Sequence, residues 1–436
     1  MPNSPASRLA PFVERLLGCS LPVGLRTWDG VRAGPPDAPT VVLRNRRALR
    51  RLLYAPGELG LARAYVSGDL DVEGDLADGF RRIWALTRSG ALRGARLGPR
   101  EWAEALRIAV RLGVVGPPPK PPAEEARLSG KLHTLLRDKS AIAHHYDLGN
   151  AFYQLLLDES MAYSSGYWTS DEDGYGVEQA QWDKLELICR KLGLRPGMRL
   201  LDVGCGWGSL LVHAAKHHGV HAVGITLSAE QQQHVRGRLA QHDLEERVEV
   251  RRQDYRELCT RTLGGKTNLG SADEPFDAVA SIEMGEHVGE ENYPEYTRTL
   301  FRMLKPTGRL VLQQMSRGVV APGGGAFIER YIAPDMTMRP LSRTLGHLET
   351  AGFEIREVHA LREHYVRTVR AWEKTLEGNW DDVVALIGES GARVWRLYLV
   401  GGALAFEENR MGVDQILAVR PSDEGLSAMP ATREWS

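Results

Sequence analysis

The sequence predicts a doubly wound α/β domain with a mostly parallel sheet, preceded by a smaller α+β domain. Segments with the patterns of strands and helices alternate from residue 199 onward, as they do in chains of βαβ units. A glycine-rich turn at 204–208 joins the first of these strands to a helix. Upstream, residues 116–122 contain five prolines in seven positions, which excludes a helix or a central strand and indicates a linker.

The linker divides a chain of 436 residues, which is long for a single compact core. Its content of 43% hydrophobic and 25% charged residues is that of an ordinary folded protein. We therefore predict an N-terminal domain, a proline-rich linker, a main domain and a C-terminal tail, over residues 1–115, 116–135, 136–421 and 422–436 respectively.

The N-terminal domain has the patterns of both strands and helices. Residues 40–44 predict a strand, 47–53 a helix, and 65–75, where apolar and acidic residues alternate between glycines, a short strand between turns. Residues 81–112 predict helices with a break near 90–98, and this segment carries eight arginines against two glutamates. It is either a solvated helical face over core leucines or a basic amphipathic surface that docks on anionic lipid.

The main domain supplies the alternation that defines the fold. Its predicted strands are, in chain order, 199–203, 221–225, 248–252, 276–282, 309–314, 353–358 and 415–419. The predicted helices between them are 209–217, 229–242 and 293–304, with further helices between the last two strands.

Composition excludes several classes of protein. A net charge of −1 argues against nucleic acid as the main partner. The four cysteines form no CxxC pair, and the adjacent pair His144 and His145 has no third ligand at a suitable spacing, so no disulfide framework and no metal site is predicted. We find neither a signal peptide nor an apolar run of about 18–20 residues that would span a bilayer. A protein in the cytoplasm that meets membranes only peripherally is the expectation.

The turn after the first strand of the main domain indicates a nucleotide site. It reads Leu-Leu-Asp-Val-Gly-Cys-Gly-Trp-Gly over 200–208, and glycines at these positions let the backbone approach a ligand closely. The GxGxG pattern differs from the GxGxxG dinucleotide fingerprint. It resembles the first motif of class I S-adenosylmethionine methyltransferases, with Asp202 inside the strand.

The next two strands end in polar residues that suit the rest of such a ligand. Thr226 to Ser228 offer hydroxyl groups and Gln231 an amide near the ribose. Asp254 is placed to accept a hydrogen bond from an adenine amino group or, alternatively, to cap the turn that follows. The predicted cofactor-binding set is Tyr163, Ser164, Asp202, Gly204, Gly206, Gly208, Thr226, Leu227, Ser228, Gln231, Asp254 and Tyr255.

Several further segments resemble one family. The sequence is similar to cyclopropane fatty-acyl-phospholipid synthases and mycolic acid methyltransferases at 143–150, 163–168, 225–231, 286–293, 328–334, 364–365 and 371–372. The resemblance covers about 135–421 and, more loosely, 64–75. It implies a class I methyltransferase fold and an S-adenosylmethionine-dependent reaction at the double bond of an unsaturated, oleoyl-type phospholipid acyl chain.

The resemblance also implies a mechanism. The double bond attacks the sulfonium methyl group, a carbocation remains on the acyl chain, and a base removes a proton. Because an alkene is a weak nucleophile, the site must align it and exclude water. In the family the base is thought to be a bound bicarbonate, held by a glutamate, a histidine, a tyrosine and the backbone of a Tyr-Ser-Cys segment. The matching glutamate and tyrosine are Glu286 and Tyr365.

This chain departs from the family pattern. Ser165 replaces the cysteine of Tyr-Ser-Cys, Gln313 replaces the histidine, and Gly402 replaces a later cysteine. Glutamine can donate a hydrogen bond to an anion but cannot take up a proton. These departures argue against ring closure and favour a methylene-branched (10-methylene) chain, formed after a hydride shift, over a cyclopropane.

An additional carboxylate lies beside these positions. Glu283, about one helical turn before Glu286, is either a base or an exposed loop carboxylate, and the sequence slightly favours the loop. The predicted catalytic set is therefore Glu286, Tyr365, Gln313, Ser165 and Glu283.

The expected partners are unsaturated phospholipid acyl chains and a membrane surface, with a homodimer, and a reductase for a methylene product, as further candidates. Two other functions stay open: methylation of a small soluble metabolite, and a lipid-binding module without catalysis. The glycine turn, Glu286 and Tyr365 argue against the module, whereas Gln313 and Gly402 mildly favour it.

Overall fold

The computed structural model describes residues 4–88, 98–126, 137, 149–258, 274–319 and 324–432. The chain forms two compact units that interleave in sequence. The small unit comprises Met1–Ala126, Gly324–Ile332 and Trp380–Leu404, and the large unit comprises Arg127–Gly323, Ala333–Asn379 and Ala405–Ser436. The predicted domain boundaries remain a prediction, but two segments expected in the main domain pack within the small unit, where Val400 and Leu404 contact Ala77.

The small unit contains a four-stranded sheet in the order β2-β1-β3-β4. Its strands are β1 Gly24–Arg26, β2 Arg32–Ala33, β3 Thr40–Leu43 and β4 Leu70–Glu73. Its first five helices are α1 Pro5–Leu17, α2 Arg46–Tyr54, α3 Glu58–Val66, α4 Leu76–Arg88 and α5 Pro99–Arg111. The strand predicted at 40–44 and the helix predicted at 47–53 are confirmed.

Two further predictions for this unit concern the segments 65–75 and 81–112. The short strand between turns that 65–75 predicts is confirmed as β4 Leu70–Glu73. Tyr65 and Val66, at the start of this stretch, end α3, where both side chains are buried with Ala62 and Ala64. The expected break between the two basic helices falls largely on residues 89–97, outside the described residues. On either side of these residues, α4 extends to Arg88 and α5 begins at Pro99.

The large unit contains a seven-stranded sheet in the order β10-β11-β9-β8-β5-β6-β7. Its strands are β5 Arg199–Val203, β6 His221–Thr226, β7 Val248–Arg252, β8 Phe276–Ile282, β9 Leu304–Ser316, β10 Glu354–Ala360 and β11 Gly412–Val419. The longer helices of this unit are α6 Asn150–Leu156, α7 Val177–Leu192, α8 Ser209–His218, α9 Ala229–Gln241, α10 Tyr293–Met303, α11 Leu341–Ala351 and α12 Arg362–Gly378. The last helix of the chain, α13 Trp380–Glu407, is interrupted at Gly388 and belongs to the small unit up to Leu404.

This topology confirms the predicted fold class. Strands β5 to β9 pair in parallel, and only β11 runs antiparallel to its neighbours β9 and β10. From β5 the chain moves outward on one side to form β6 and β7, and it then returns to form β8 on the other side of β5. Such a switch point opens a crevice at the carboxyl ends of the strands, where ligands bind in open α/β sheets. The glycine turn and Glu283 both follow strands at this crevice.

None of the helices that the structure describes is both long enough and apolar enough to cross a bilayer.

Candidate active site

The turn after β5 presents bare backbone to the crevice. Gly204 and Gly206 have φ values of 86° and 53°, in the left-handed region that favours glycine. A Cβ on Gly204 would lie 2.6 Å from Met284 Cγ, whereas no heavy atom of the described residues lies within 4 Å of a Cβ on Gly206. The first glycine therefore permits close packing, and the second leaves open space beside the backbone for a ligand.

This turn forms part of a cleft of about 1140 Å³, counting space open to solvent. Ten of the twelve predicted cofactor-binding residues line the cleft: Tyr163, Ser164, Asp202, Gly204, Gly206, Thr226, Leu227, Gln231, Asp254 and Tyr255. The other two have structural positions instead. Gly208 precedes α8, and a Cβ there would lie 3.0 Å from Val235. Ser228 caps α9 by accepting a hydrogen bond from Gln231 N.

Asp202 places an acceptor in the wall of the cleft. The residue is 3% exposed, and its Oδ1 has no hydrogen-bond partner among the described residues. Burial raises the pKa of Asp202 to about 7, against the opposing charge of Lys184. Because an unpartnered buried acceptor is costly, this oxygen suits a ligand that donates hydrogen bonds or carries positive charge.

The polar residues that follow β6 and β7 already have partners within the protein. Arg256 Nε and Nη2 each lie 2.8 Å from the Asp254 carboxylate. Asp254 also caps the short helical turn Tyr255–Glu257 by accepting from Arg256 N. Thr226 Oγ1 donates to Gln231 Oε1 over 2.7 Å. Asp254 therefore caps a turn, as the alternative interpretation predicted, and also lines the cleft; its contact with an adenine amino group stays a prediction.

Glu283 is the centre of a hydrogen-bonded cluster. Its Oε1 accepts from Ser165 N and from Gln313 Nε2, each over 2.9 Å. Its Oε2 accepts from Tyr365 OH over 2.7 Å. The preference for an exposed loop carboxylate is therefore wrong: the residue follows β8 with a φ of 54°, and this turn brings its carboxylate to donors from three distant segments.

The protonation of Glu283 reflects opposing effects. Burial raises the pKa of this carboxyl group, while the three hydrogen bonds and the charge of Lys184 oppose the rise. A carboxylate with a raised pKa is a stronger base than an exposed one. The cluster can therefore hold a carboxylate in a fixed orientation beside the cleft that Glu283 helps to line.

Glu286 has a different environment. It is fully buried, its Oε1 accepts from Met315 N over 2.5 Å, and its Oε2 has no partner among the described residues. Burial and the nearby charge of Glu283 raise the pKa of Glu286 to about 8. At neutral pH this side chain is therefore predominantly a neutral acid.

Gln313 is oriented by a residue that the sequence analysis missed. Gln415 Nε2 donates to Gln313 Oε1 over 3.0 Å, which leaves the Gln313 amide nitrogen directed at Glu283. Both glutamines are fully buried on adjacent strands. Two adjacent polar residues, Asp414 and Gln415, interrupt the apolar strand 412–419 and were a signal for such a contact.

Lys184 was also missed. It is 2% exposed, it lines the cleft, and its Nζ donates to Ser164 Oγ over 2.9 Å. Burial lowers the pKa of Lys184 to about 8, with Glu283, Asp158 and Asp202 opposing. Lys184 shares the core-facing side of α7 with Leu185, Ile188 and Leu192, so a lysine among apolar residues was a usable signal.

Aromatic rings lie beside the polar cluster. The Tyr153 ring centroid lies 4.6 Å from Trp207 and 5.8 Å from Tyr163, which in turn lies 5.3 Å from Trp372. Tyr365 contacts Trp372 as well. Ring faces attract positive charge and exclude water. The predicted segment 143–150 lies mainly outside the described residues, which resume at Gly149.

The strand order, the glycine turn and the cleft define a class I S-adenosylmethionine-dependent methyltransferase. The residues fit this cofactor, because open space beside Gly206 and the unpartnered Asp202 oxygen offer a backbone surface and an acceptor. The family model of mycolic acid cyclopropane synthetase matches residues 133–416, and the chain belongs to this family. The predicted family, enzyme class and cofactor are thereby confirmed.

Known proteins match over different lengths. A probable fatty acid methyltransferase of Mycobacterium tuberculosis is 37% identical over 426 residues, 95% of each chain. The cyclopropane-fatty-acyl-phospholipid synthase of Escherichia coli K12 is 34% identical over 282 residues, which cover 65% of this chain and 68% of that protein. A mycolic acid cyclopropane synthase solved with SAH and CTAB is 29% identical, with a TM-score of 0.58, over 64% of this chain and 98% of that one.

Proposed function

We propose that this protein methylates the double bond of unsaturated, oleoyl-type phospholipid acyl chains and that Glu283 is the base of the reaction. The observation that carries the proposal is the Glu283 carboxylate, held by Ser165, Gln313 and Tyr365 at the edge of the cofactor cleft. When bound, S-adenosylmethionine supplies an electrophilic methyl group. Asp202 and the 204–208 turn would hold this cofactor, and the aromatic rings would exclude water from the cationic acyl chain.

The residues around Glu283 do not fit an additional bicarbonate. The groups that would hold such an anion are the Ser165 amide, the residue at 313 and the Tyr365 hydroxyl, and all three already donate to Glu283. A second anion there would also face the charge of Glu283. We infer that a carboxylate of the chain itself takes the place of bicarbonate.

In this mechanism Glu283 takes one proton from the methyl-bearing cationic chain and later releases it to solvent. The Tyr365 hydroxyl and the Gln313 amide orient the carboxylate. Burial and Glu283 raise the pKa of Glu286 to about 8, and a neutral Glu286 limits the negative charge beside Glu283. The rings of Tyr163 and Trp372, whose centroids lie 5.3 Å apart, would stabilise the positive charge that develops on the acyl chain.

We further propose that the product is a methylene-branched chain rather than a cyclopropane. Relatives that match nearly the whole chain, in Mycobacterium tuberculosis and Pseudomonas putida, are described as probable fatty acid methyltransferases. The cyclopropane synthase of Escherichia coli matches only 65% of the chain. A methylene product would need a reductase as a partner to reach a saturated methyl branch.

The test is incubation of the full chain with dioleoyl phosphatidylglycerol and S-adenosylmethionine carrying a ¹³C-labelled methyl group, followed by mass spectrometry and NMR of the acyl chains. Labelled vinylic CH₂ signals are the expected result. Upfield ring protons would identify a cyclopropane instead. Absence of any labelled acyl chain, with cofactor binding intact, would overturn the proposed substrate class.

The pH dependence offers a second test. Replacing Lys184 by methionine is expected to move the acidic limb of the kcat–pH profile to higher pH. The Lys184 charge lowers the pKa of Glu283, so its loss leaves less of the base ionised at pH 7. Since burial lowers the pKa of Lys184 to about 8, variant and wild type should differ below that pH and converge above it.

The profile is measured with both substrates saturating. Lys191→Met is the matched control, because Lys191 is a fully buried lysine on the same helix that pairs with Glu357 away from the cleft. The control should keep the wild-type position of the acidic limb. An unmoved limb in Lys184→Met would show that Glu283 is not the titrating base.

We also propose that α5 docks on anionic lipid. Trp102, Leu106 and Val110 are exposed at successive i, i+4 positions on one side of this helix. Arg107 and Arg111 are exposed beside them. An exposed apolar stripe with flanking arginines suits insertion at a membrane surface with anionic headgroups. This proposal makes the protein a peripheral membrane protein, expected on the cytoplasmic side.

Leu106→Glu is expected to weaken binding to phosphatidylglycerol vesicles by at least about tenfold, because burying a leucine contributes roughly 1.5–3 kcal/mol. Vesicle flotation measures the bound fraction. Leu426→Glu is the matched control, since Leu426 is 64% exposed against 51% for Leu106, and it should bind like wild type. If Leu106→Glu instead dissociates a dimer and leaves vesicle binding intact, the stripe is an interface between copies of the chain.

A further inference from the structure

A cluster of metal-ligating side chains lies between two helices of the large unit. The sulfur of Cys189 on α7 and ring nitrogens of His213 and His218 on α8 all lie within 4.8 Å of one another. None of these three residues lines the cofactor cleft. The methylation mechanism therefore makes no use of them.

A fourth potential ligand faces the same point. His213 Nε2 and His218 Nε2 lie 3.2 and 3.0 Å from a single oxygen, Oε2 of Glu186. Glu186 and Cys189 are three residues apart on α7, so both project from the same side of that helix. Two imidazoles, one thiol and one carboxylate thus converge from two packed helices.

This donor set matches the chemistry of zinc. Zn²⁺ binds cysteine sulfur at about 2.3 Å and histidine nitrogen at about 2.0–2.1 Å in tetrahedral sites. Ligand atoms of such a site are therefore about 3.3–3.6 Å apart. Side-chain rotations that shorten the longest of the present separations, which reach up to 4.8 Å, by about 1 Å would bring the ligand atoms to these distances.

We propose that Cys189, His213, His218 and Glu186 form a structural zinc site that fastens α7 to α8. Binding converts the Cys189 thiol to a thiolate, and its proton passes to solvent. Cys189 is fully buried and His213 nearly so, whereas His218 is half-buried, so the ion would enter from the side of His218. The cysteine spacing did not predict this site, because its sulfur and nitrogen ligands lie 24 and 29 positions apart, on different helices.

The test uses the full chain, treated with a chelator and then titrated with Zn²⁺ in competition with a chromophoric chelator, and in parallel with Co²⁺. One equivalent of tight zinc binding and a thiolate-to-cobalt charge-transfer band are expected. Cys189→Ser and His218→Gln should each weaken zinc binding by more than about 100-fold, beyond the roughly 10–100-fold lost with an outer-shell partner. Cys189→Ser should also abolish the charge-transfer band.

His217→Gln and Cys19→Ser are the matched controls. His217 is a neighbouring histidine on α8 outside the set, and Cys19 is a free cysteine of the small unit. Both should bind zinc and cobalt like wild type. Circular dichroism identifies any variant that fails to fold, and His218→Gln, at a half-buried position, keeps the test valid if Cys189→Ser does not fold. The proposal is overturned if wild type takes up no zinc, or if His217→Gln weakens binding as much as His218→Gln.

Discussion

Replacement of Glu283 by glutamine is expected to lower kcat for acyl methylation by about 10²–10⁴-fold, the usual contribution of a general base. Glutamine can keep the hydrogen bonds that its carbonyl oxygen accepts, but it cannot take up the proton released by the cationic chain. Affinity for S-adenosylmethionine should change little, because glutamine keeps an acceptor oxygen for Ser165 N, beside the cleft residues Tyr163 and Ser164. Single-turnover kinetics and calorimetry measure the two quantities separately.

Glu286→Gln is the matched control for this variant. Burial and Glu283 raise the pKa of Glu286 to about 8, so wild-type Glu286 is already neutral at pH 7, and its amide analogue keeps an acceptor for Met315 N. We expect Glu286→Gln to lose less than about tenfold in kcat, well below the effect of removing a base. The opposite ranking of the two variants would assign the base to Glu286, as the family resemblance alone suggested.

The second large effect is expected at the glycine turn. Gly206→Val should weaken S-adenosylmethionine binding by at least about 100-fold, about 2.7 kcal/mol. Gly206 has a φ of 53°, and open space lies where its Cβ would project. A branched side chain would fill that space and would also strain the backbone. Isothermal titration calorimetry with the cofactor measures the loss.

Gly197→Val separates strain from steric exclusion of the ligand. Gly197 lies in the same unit with a φ of 83°, and it too has no neighbour within 4 Å of a Cβ among the described residues. It does not line the cleft. This control should lose stability to a similar extent but bind the cofactor like wild type. Equal loss of affinity in both variants would mean that the 204–208 turn does not hold the cofactor.

The sheet of the large unit was predictable because its buried parallel strands are short apolar runs separated by helices with a clear amphipathic pattern. Predicted and observed bounds agree for β5, β7 and β8. The start of β9 was misplaced, since Pro306 and Gly308 suggest a turn. In the structure this region joins the sheet through a register shift opposite Phe276 and Ala278.

The cofactor cleft was predictable to the extent that its parts are local in sequence. Asp202 and the glycines lie in one turn, so their spacing alone indicated a ligand. The carboxylate cluster was not local: Ser165, Glu283 and Tyr365 are 118 and 82 residues apart. A charged residue after a strand has the pattern of a loop, and no spacing rule indicates that three distant donors meet at Glu283. Likewise, the only sign in the sequence that Lys184 is buried was its position on the apolar face of a helix.

The dependence of acyl methylation on bicarbonate tests the central claim most directly. Initial rates are measured in degassed, bicarbonate-free buffer before and after bicarbonate is restored. Wild type should show the same rate in both conditions, since Glu283 supplies the carboxylate. Glu283→Gly, favoured at this position by the positive φ of 54°, should be slow without bicarbonate and recover when the anion is added. A wild-type rate that collapses without bicarbonate and returns with it would contradict the account.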